Sequence, residues 1–157
     1  MSAVEDRLAA LGLTVPEVAQ PVAAYQPAVR DGNLIFTSGQ LPMVAGTLVR
    51  TGKVGTGGNG VSAEDAKELA QTCALNAIAA VRSVIGDLDK VTRVVKVVGF
   101  VASDPAFTGQ PGVINGASEL LGKAFGDAGV HARSAVGVAV LPLDAPVEVE
   151  ITVSVQD

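Results

Sequence analysis

Apolar positions in this chain follow two helical stripes and several extended runs, divided by glycine- and proline-marked turns. Ala66, Leu69, Ala70, Cys73, Ala77, Ala80, Val81 and Val84 recur at the 3.6-residue spacing of one helical face. Ser62 opens this segment in capping-box fashion, with Asp65 three residues on, and Gly86 stops it. A second stripe through Val113, Ile114, Ala117, Leu120, Leu121, Ala124 and Phe125 predicts a helix from about Pro111 to Phe125. A short peripheral helix is expected over Val4 to Leu11, ended by Gly12.

Elsewhere the pattern is extended. Tyr25 to Arg30 and Leu34 to Thr37 read as strands joined at Asp31-Gly32-Asn33, a strong hairpin signal, and Ser38-Gly39 ends the second abruptly. A weaker hairpin is expected to join Thr47 to Arg50 with Lys53 and Val54 around Thr51-Gly52. Val91 to Ala102 is nearly continuously apolar, broken by Arg93 and Lys96, as in a buried strand. Ser134 to Val140 and Val147 to Val155 are expected to pair as a closing hairpin around Pro142 to Pro146. With no repeat or linker visible, one α+β domain spanning 1–157 is expected, with 1–20 as a peripheral extension.

Alternation assigns faces to that last pair. Val136, Val138 and Val140 align with Val147, Val149, Ile151, Val153 and Val155 if Val140 pairs with Val147, giving one apolar face for the helices to cover. Arg133, Ala135, Gly137 and Ala139 then share the other face with Glu148, Glu150, Thr152 and Ser154. That face is too polar for a core and too notched by small residues for an ordinary wet surface, so an oligomer interface holding a small-ligand cleft is expected there. In this register Arg133 and Glu148 stand roughly 20 Å apart at about 3.3 Å per residue, too far to share a ligand within one chain.

Composition narrows the chemistry. Sixteen acidic and eleven basic residues give a formal charge of -5, which opposes binding to phosphate backbones, so no nucleic-acid partner is expected. One cysteine and one histidine leave no internal disulfide and too few soft ligands for a conventional zinc or iron site. No signal-peptide pattern or membrane-spanning apolar run occurs, so a cytoplasmic protein without a membrane partner is expected. With four Phe, one Tyr and no Trp, the core must come from Val, Leu, Ile and Ala.

Several motifs compete for function. Gly55 to Gly60 matches G-x-G-x-x-G before a helix, but no long buried strand precedes it and no βαβ unit follows, so it reads as a flexible loop. Cys73 lies in the long helix's stripe as an inert thiol, and His131 reads as a loop residue beside Arg133. Arg133, at the start of a strand of small residues, suits bidentate capture of a small organic acid. Glu148, buried at an interface, would have a raised pKa and suit proton exchange with water.

Asp31-Gly32-Asn33-Leu34-Ile35-Phe36-Thr37-Ser38-Gly39-Gln40-Leu41-Pro42, together with Ala132-Arg133-Ser134-Ala135-Val136 through Leu141-Pro142 to Val147-Glu148-Val149-Glu150, closely resembles the two signatures of the YjgF/RidA family. The resemblance runs from about Tyr25 to Val155 and implies a chorismate-mutase-like α+β fold. Its expected form is a mixed six-stranded sheet with two main helices on one face, in a homotrimer with clefts between subunits. It further implies cofactor-independent hydrolysis of reactive enamines and imines, such as 2-aminoacrylate, to 2-keto acids and ammonia. Arg133 then matches the arginine that grips the substrate carboxylate, and Glu148 the glutamate that positions or activates water. Tyr25, Ser38, Gly39, Asn115 and Ala135 match cleft positions. A trimer that binds small carboxylates without turnover is the alternative. Some relatives carry an attributed ribonuclease activity, which the acidic charge and the single histidine oppose. Ala135 stands where a cysteine is common, Ala23-Ala24 where Gly-Pro is usual, and Ser103 to Ile114 is longer than usual, as in a longer-chain branch.

Overall fold

Ser2 and Glu5 start the first helix by capping one another: the Ser2 hydroxyl accepts from Glu5 N–H, and the Glu5 carboxylate accepts from Ser2 N–H. The computed structural model describes residues 1–18, 21, 24–55, 57 and 60–157. Helices are α1 (Ala3–Ala10), α2 (Ala63–Ile85) and α3 (Gln110–Phe125). Strands are β1 (Ala28–Asp31), β2 (Leu34–Thr37), β3 (Met43–Val44), β4 (Thr47–Leu48), β5 (Val91–Ala102), β6 (Ala132–Val138) and β7 (Val147–Val155). The expected α+β fold is found, but the sheet has five strands in the order β1-β2-β7-β5-β6 rather than six, with β3 and β4 forming a separate ribbon.

The helices arise where the stripes lie. The Ser62 hydroxyl accepts from Asp65 N–H to begin α2, and Gly86 ends it at φ 76°, a left-handed conformation that suits glycine. Ala66, Leu69, Ala70, Cys73, Ala77, Ala80 and Val81 are buried, whereas Val84 at the stripe's end is exposed. Every stripe residue of α3 is buried. The two helices lie side by side so closely that a Cβ on Gly116 would stand 1.9 Å from the Lys67 carbonyl oxygen. Gly116→Ala gains about 1 kcal/mol of helix propensity, but must push two backbones apart, at a cost of about 1–3 kcal/mol. The overlap is with backbone, which cannot swing aside, so steric cost wins. A lower urea midpoint with an unchanged m-value is the expected result.

The β1–β2 hairpin forms as expected, with Asp31 paired to Leu34 across Gly32-Asn33 and Gly32 at φ 59°. The next hairpin does not. Thr47-Leu48 pairs backward with Met43-Val44 across Ala45-Gly46, both at positive φ, instead of forward with Lys53-Val54. Val54 instead bridges Val61 and Ser103. Ala-Gly is a weak turn signal because a Cβ at positive φ is unfavourable, which hid this turn from the sequence.

The largest correction concerns the closing hairpin. β6 and β7 are not partners: β5 lies between them, parallel to β6 and antiparallel to β7. Val140 does not pair with Val147 and is 66% exposed, and Val136 is 45% exposed. On β7 the valine face is buried as expected. On β6 the faces are reversed. Arg133 sits level with buried Val97 and Ile151 on the helix-covered side, while Glu148 sits level with Phe100 and Val136 on the opposite side. α3 connects β5 to β6 as a parallel crossover and covers the small-residue face of β6, so glycine and alanine, not valine, turn inward there. Gly99 shows the fit, since a Cβ on it would meet the Ile114 side chain at 2.4 Å. Among the described residues no helix lies on the sheet's far side, where Val29, Leu34, Phe36 and Val136 are exposed.

Candidate functional site

Two polar clusters stand on opposite sides of the sheet. The first is built around Arg133 where β6 emerges from the turn after α3. Its guanidinium Nη1 donates to Asn115 Oδ1 at 2.8 Å and to Ser118 Oγ at 3.3 Å, both from α3. Asn115 and Ser118 are three residues apart and so share one face of that helix. Among the described residues no carboxylate lies within ion-pair distance of Arg133. The half-buried cation is thus oriented by neutral acceptors, with its charge uncompensated.

Ser118 and His131 extend this cluster beyond the residues the sequence marked. His131 Nδ1 lies 2.6 Å from the Gly129 carbonyl oxygen, which can only accept, so the ring proton belongs on Nδ1. In that neutral tautomer Nε2 accepts from the Ser118 hydroxyl at 2.9 Å, which leaves a Ser118 lone pair for Arg133. His131 is therefore part of a directional chain that runs from the guanidinium through Ser118 to the Gly129 carbonyl, rather than a free loop residue. Ser118 lies on the polar side of the α3 stripe and carries no signal in the sequence beyond that position.

The second cluster surrounds Glu148 on the uncovered side, where the chain leaves β2. Gln40 bridges Val149 through both backbone groups, which lays the Ser38-Gly39 turn against β7. A Cβ on Gly39 would stand 1.9 Å from Glu148 Oε1, so any larger residue there would force the carboxylate to move. The Ser38 hydroxyl donates to the Gln26 carbonyl at 2.6 Å, beside Tyr25, whose ring is exposed. Burial, and then the neighbouring Glu150 charge, raise the Glu148 carboxyl above its ordinary value. The native state therefore holds this proton more tightly than the unfolded chain does, and ionising Glu148 lowers stability as pH climbs through that window. Glu148→Gln is expected to match the wild-type Tm at acid pH and to exceed it increasingly toward neutral pH. A gap that stays constant from pH 4 to 8 would contradict this account.

Of the residues marked by the sequence, Arg133, Asn115 and Ala135 gather on the helix side, and Glu148, Gly39 and Ser38 gather on the other. Arg133 and Glu148 remain apart within one chain, because they face opposite ways and not because a hairpin separates them. Cys73 is buried, its thiol 3.7 Å from the Val147 carbonyl oxygen, and burial followed by the Glu148 charge pushes its pKa well up, as suits an unreactive thiol. A recess of about 570 Å³ between Pro16, Met43, Asn76 and Ala79 contains neither Arg133 nor Glu148. Thr56, Gly58 and Asn59 of the glycine-rich loop, and Ala23 before the tyrosine, lie outside the described residues. Among those described, no helix is long and apolar enough to cross a membrane.

Comparison with known proteins then decides the family. The model described as YjgF/chorismate mutase-like, a description that also names an endoribonuclease, matches residues 5–153. The chain belongs to the YjgF/RidA family. The chain is 41% identical over 150 residues to Protein TCP17 of Trypanosoma cruzi, covering 94% of this chain and 91% of that protein. It is 32% identical over 144 residues to the 2-iminobutanoate/2-iminopropanoate deaminase of Dermatophagoides farinae, covering 92% and 95%. The crystal structure of the protein Atu1372, of unknown function, from Agrobacterium tumefaciens superposes with a TM-score of 0.90 at 44% identity, covering 98% of this chain and 93% of that one.

Proposed function

We propose that this protein hydrolyses reactive enamines and imines of the 2-aminoacrylate kind to 2-keto acids and ammonia, without a cofactor, in clefts between the subunits of a homotrimer. The observation that carries this reading is Arg133, a half-buried guanidinium whose partners among the described residues are neutral, which leaves it able to take a substrate carboxylate. The deaminase from Dermatophagoides farinae supports the same assignment by similarity.

In this reading Arg133 fixes the carboxylate through two parallel N–H bonds, which orients the adjoining C=N carbon. The enamine CH2=C(NH2)COO⁻ first takes a proton from solvent at its terminal carbon to become the iminium. Water then attacks the iminium carbon and gives up a proton to Glu148, which returns it to nitrogen; as ammonia departs, the carbinol hydroxyl releases its proton to solvent and leaves the keto group. The balance is 2-aminoacrylate plus water giving pyruvate plus ammonia. A carboxyl with a raised pKa suits both directions of that transfer. Because Arg133 and Glu148 face opposite sides of their own sheet, each cleft takes Arg133 from one subunit and Glu148, with the Ser38-Gly39 turn and Tyr25, from its neighbour.

The test is 2-keto acid release from imines generated in situ by an amino-acid oxidase, with semicarbazide competing for the imine. Release faster than in buffer supports the reading. No acceleration across several precursors, with calorimetry showing 2-keto acid binding that Arg133→Ala abolishes, would establish the non-catalytic alternative instead.

A further inference from the structure

Arg133 can offer a carboxylate only the part of its guanidinium that the protein leaves uncommitted. Both of its hydrogen bonds fall on Nη1, to Asn115 Oδ1 at 2.8 Å and Ser118 Oγ at 3.3 Å, and among the described residues Nε and Nη2 have no partner. The Nε–Nη2 edge can bind a carboxylate through two parallel N–H bonds. Where that edge points is set by where the two acceptors on α3 hold Nη1. Ser118 is the acceptor whose own position needs explaining. A hydroxyl on a helix commonly turns back to a carbonyl of the preceding turn, as Thr72 and Ser83 do on α2 toward Glu68 and Ala80. Ser118 makes no such bond, and its Oγ lies 2.9 Å from His131 Nε2 instead.

The imidazole is itself anchored to α3. Its Nδ1 donates to the Gly129 carbonyl at 2.6 Å, and Gly129 closes the 3-10 turn Gly126–Gly129 that follows the helix. A Cβ on Gly129 would stand 2.4 Å from the Leu121 carbonyl oxygen, so this turn lies directly against the α3 backbone. Ser118 has one proton to give, and an O–H turned toward the guanidinium would set a positive hydrogen against a cation. With that proton on His131 Nε2, an oxygen lone pair faces Nη1 instead. We infer that Ser118 and His131 are positioning residues for carboxylate capture: the neutral imidazole holds the Ser118 hydroxyl in the one orientation that steadies Arg133. The inference rests on the assignment of Arg133 as the carboxylate clamp.

Calorimetry with pyruvate on the full chain tests this at the binding step, apart from turnover. Ser118→Ala is expected to weaken pyruvate about fivefold, the effect of losing one hydrogen bond to the cation that holds it. His131→Phe should match that loss, because it keeps a ring but has no acceptor. His131→Gln returns an acceptor within reach of Ser118 and should bring the affinity to within about twofold of wild type. Since His131 acts only through Ser118, Ser118→Ala combined with His131→Phe should stay at about fivefold, not the roughly twenty-fivefold of independent effects. Wild-type affinity in Ser118→Ala or His131→Phe, multiplied losses in the double variant, or His131→Gln no better than His131→Phe overturns the inference. If pyruvate binding is lost in Arg133→Ala while the Ser118 and His131 variants bind as wild type, the positioning role alone is overturned. No pyruvate binding in the wild type, or undiminished binding in Arg133→Ala, overturns the carboxylate clamp and the positioning role with it.

Discussion

Arg133→Ala is expected to lower kcat/KM for imine hydrolysis by about a hundred- to a thousandfold, corresponding to about 3–4 kcal/mol of lost transition-state stabilisation. The substrate carboxylate would enter a partly desolvated site and find no partner, which is worse than losing one surface contact. Arg133→Lys should recover only part of the loss, because an ammonium keeps the charge but cannot form two parallel bonds or hold Asn115 and Ser118 together. The fold should survive both changes, since the groups released on α3 are neutral and sit where water can reach them. Near-normal kcat/KM in Arg133→Ala, with imines from several amino acids, would sink the assignment.

Mixing two dead variants should restore activity. Arg133→Ala and Glu148→Ala are each expected to be nearly inactive as pure trimers. Refolded together in equal amounts, they should regain about one quarter of the wild-type sites, because a cleft is intact whenever a subunit with its arginine meets a neighbour with its glutamate, two independent even chances in a cyclic trimer. Were both side chains to serve one cleft from one chain, mixing would restore nothing. The register across β6, β5 and β7 is the reason for expecting the first outcome: Arg133 is level with Val97 on one side, and Glu148 with Phe100 on the other. Keto-acid release measured across mixing ratios, peaking at equal amounts, is the readout.

The elements most legible in the sequence were those stabilised locally. The stripes of α2 and α3 record which side of each helix is buried, and the turn chemistry of Asp31 to Leu34 specifies a two-residue hairpin loop. Val91 to Ala102 reads as buried because β5 has neighbours on both edges and lies under α3. What failed was non-local. Residues 134–140 and 147–155 look like a hairpin because proximity along the chain usually means pairing, but β5 had already taken the place between them. The face of β6 was misread for a related reason. Valine marks the inside of a strand only where space is left for it, and on β6 the half-buried Ala135 packs against the core while Val136 faces the uncovered side. Arg133 and Glu148 were marked by the face pattern and by the motifs that carry them. The Ser118–His131 support was not, since it depends on how α3 lies across β6, which no spacing encodes.

The position of β7 has a consequence for how the chain comes to be made. β2 and β5 are complete long before β7, yet β7 is the strand that joins them, pairing with β2 on one edge and β5 on the other. Until residues 147–155 leave the ribosome, both of those edges present unpaired backbone, and valines meant for a shared core stay open to water. Synthesis therefore passes through an interval in which the protein is a set of open sheet edges, best protected by a holdase chaperone, and slow translation just upstream of Val147 would lengthen that exposure.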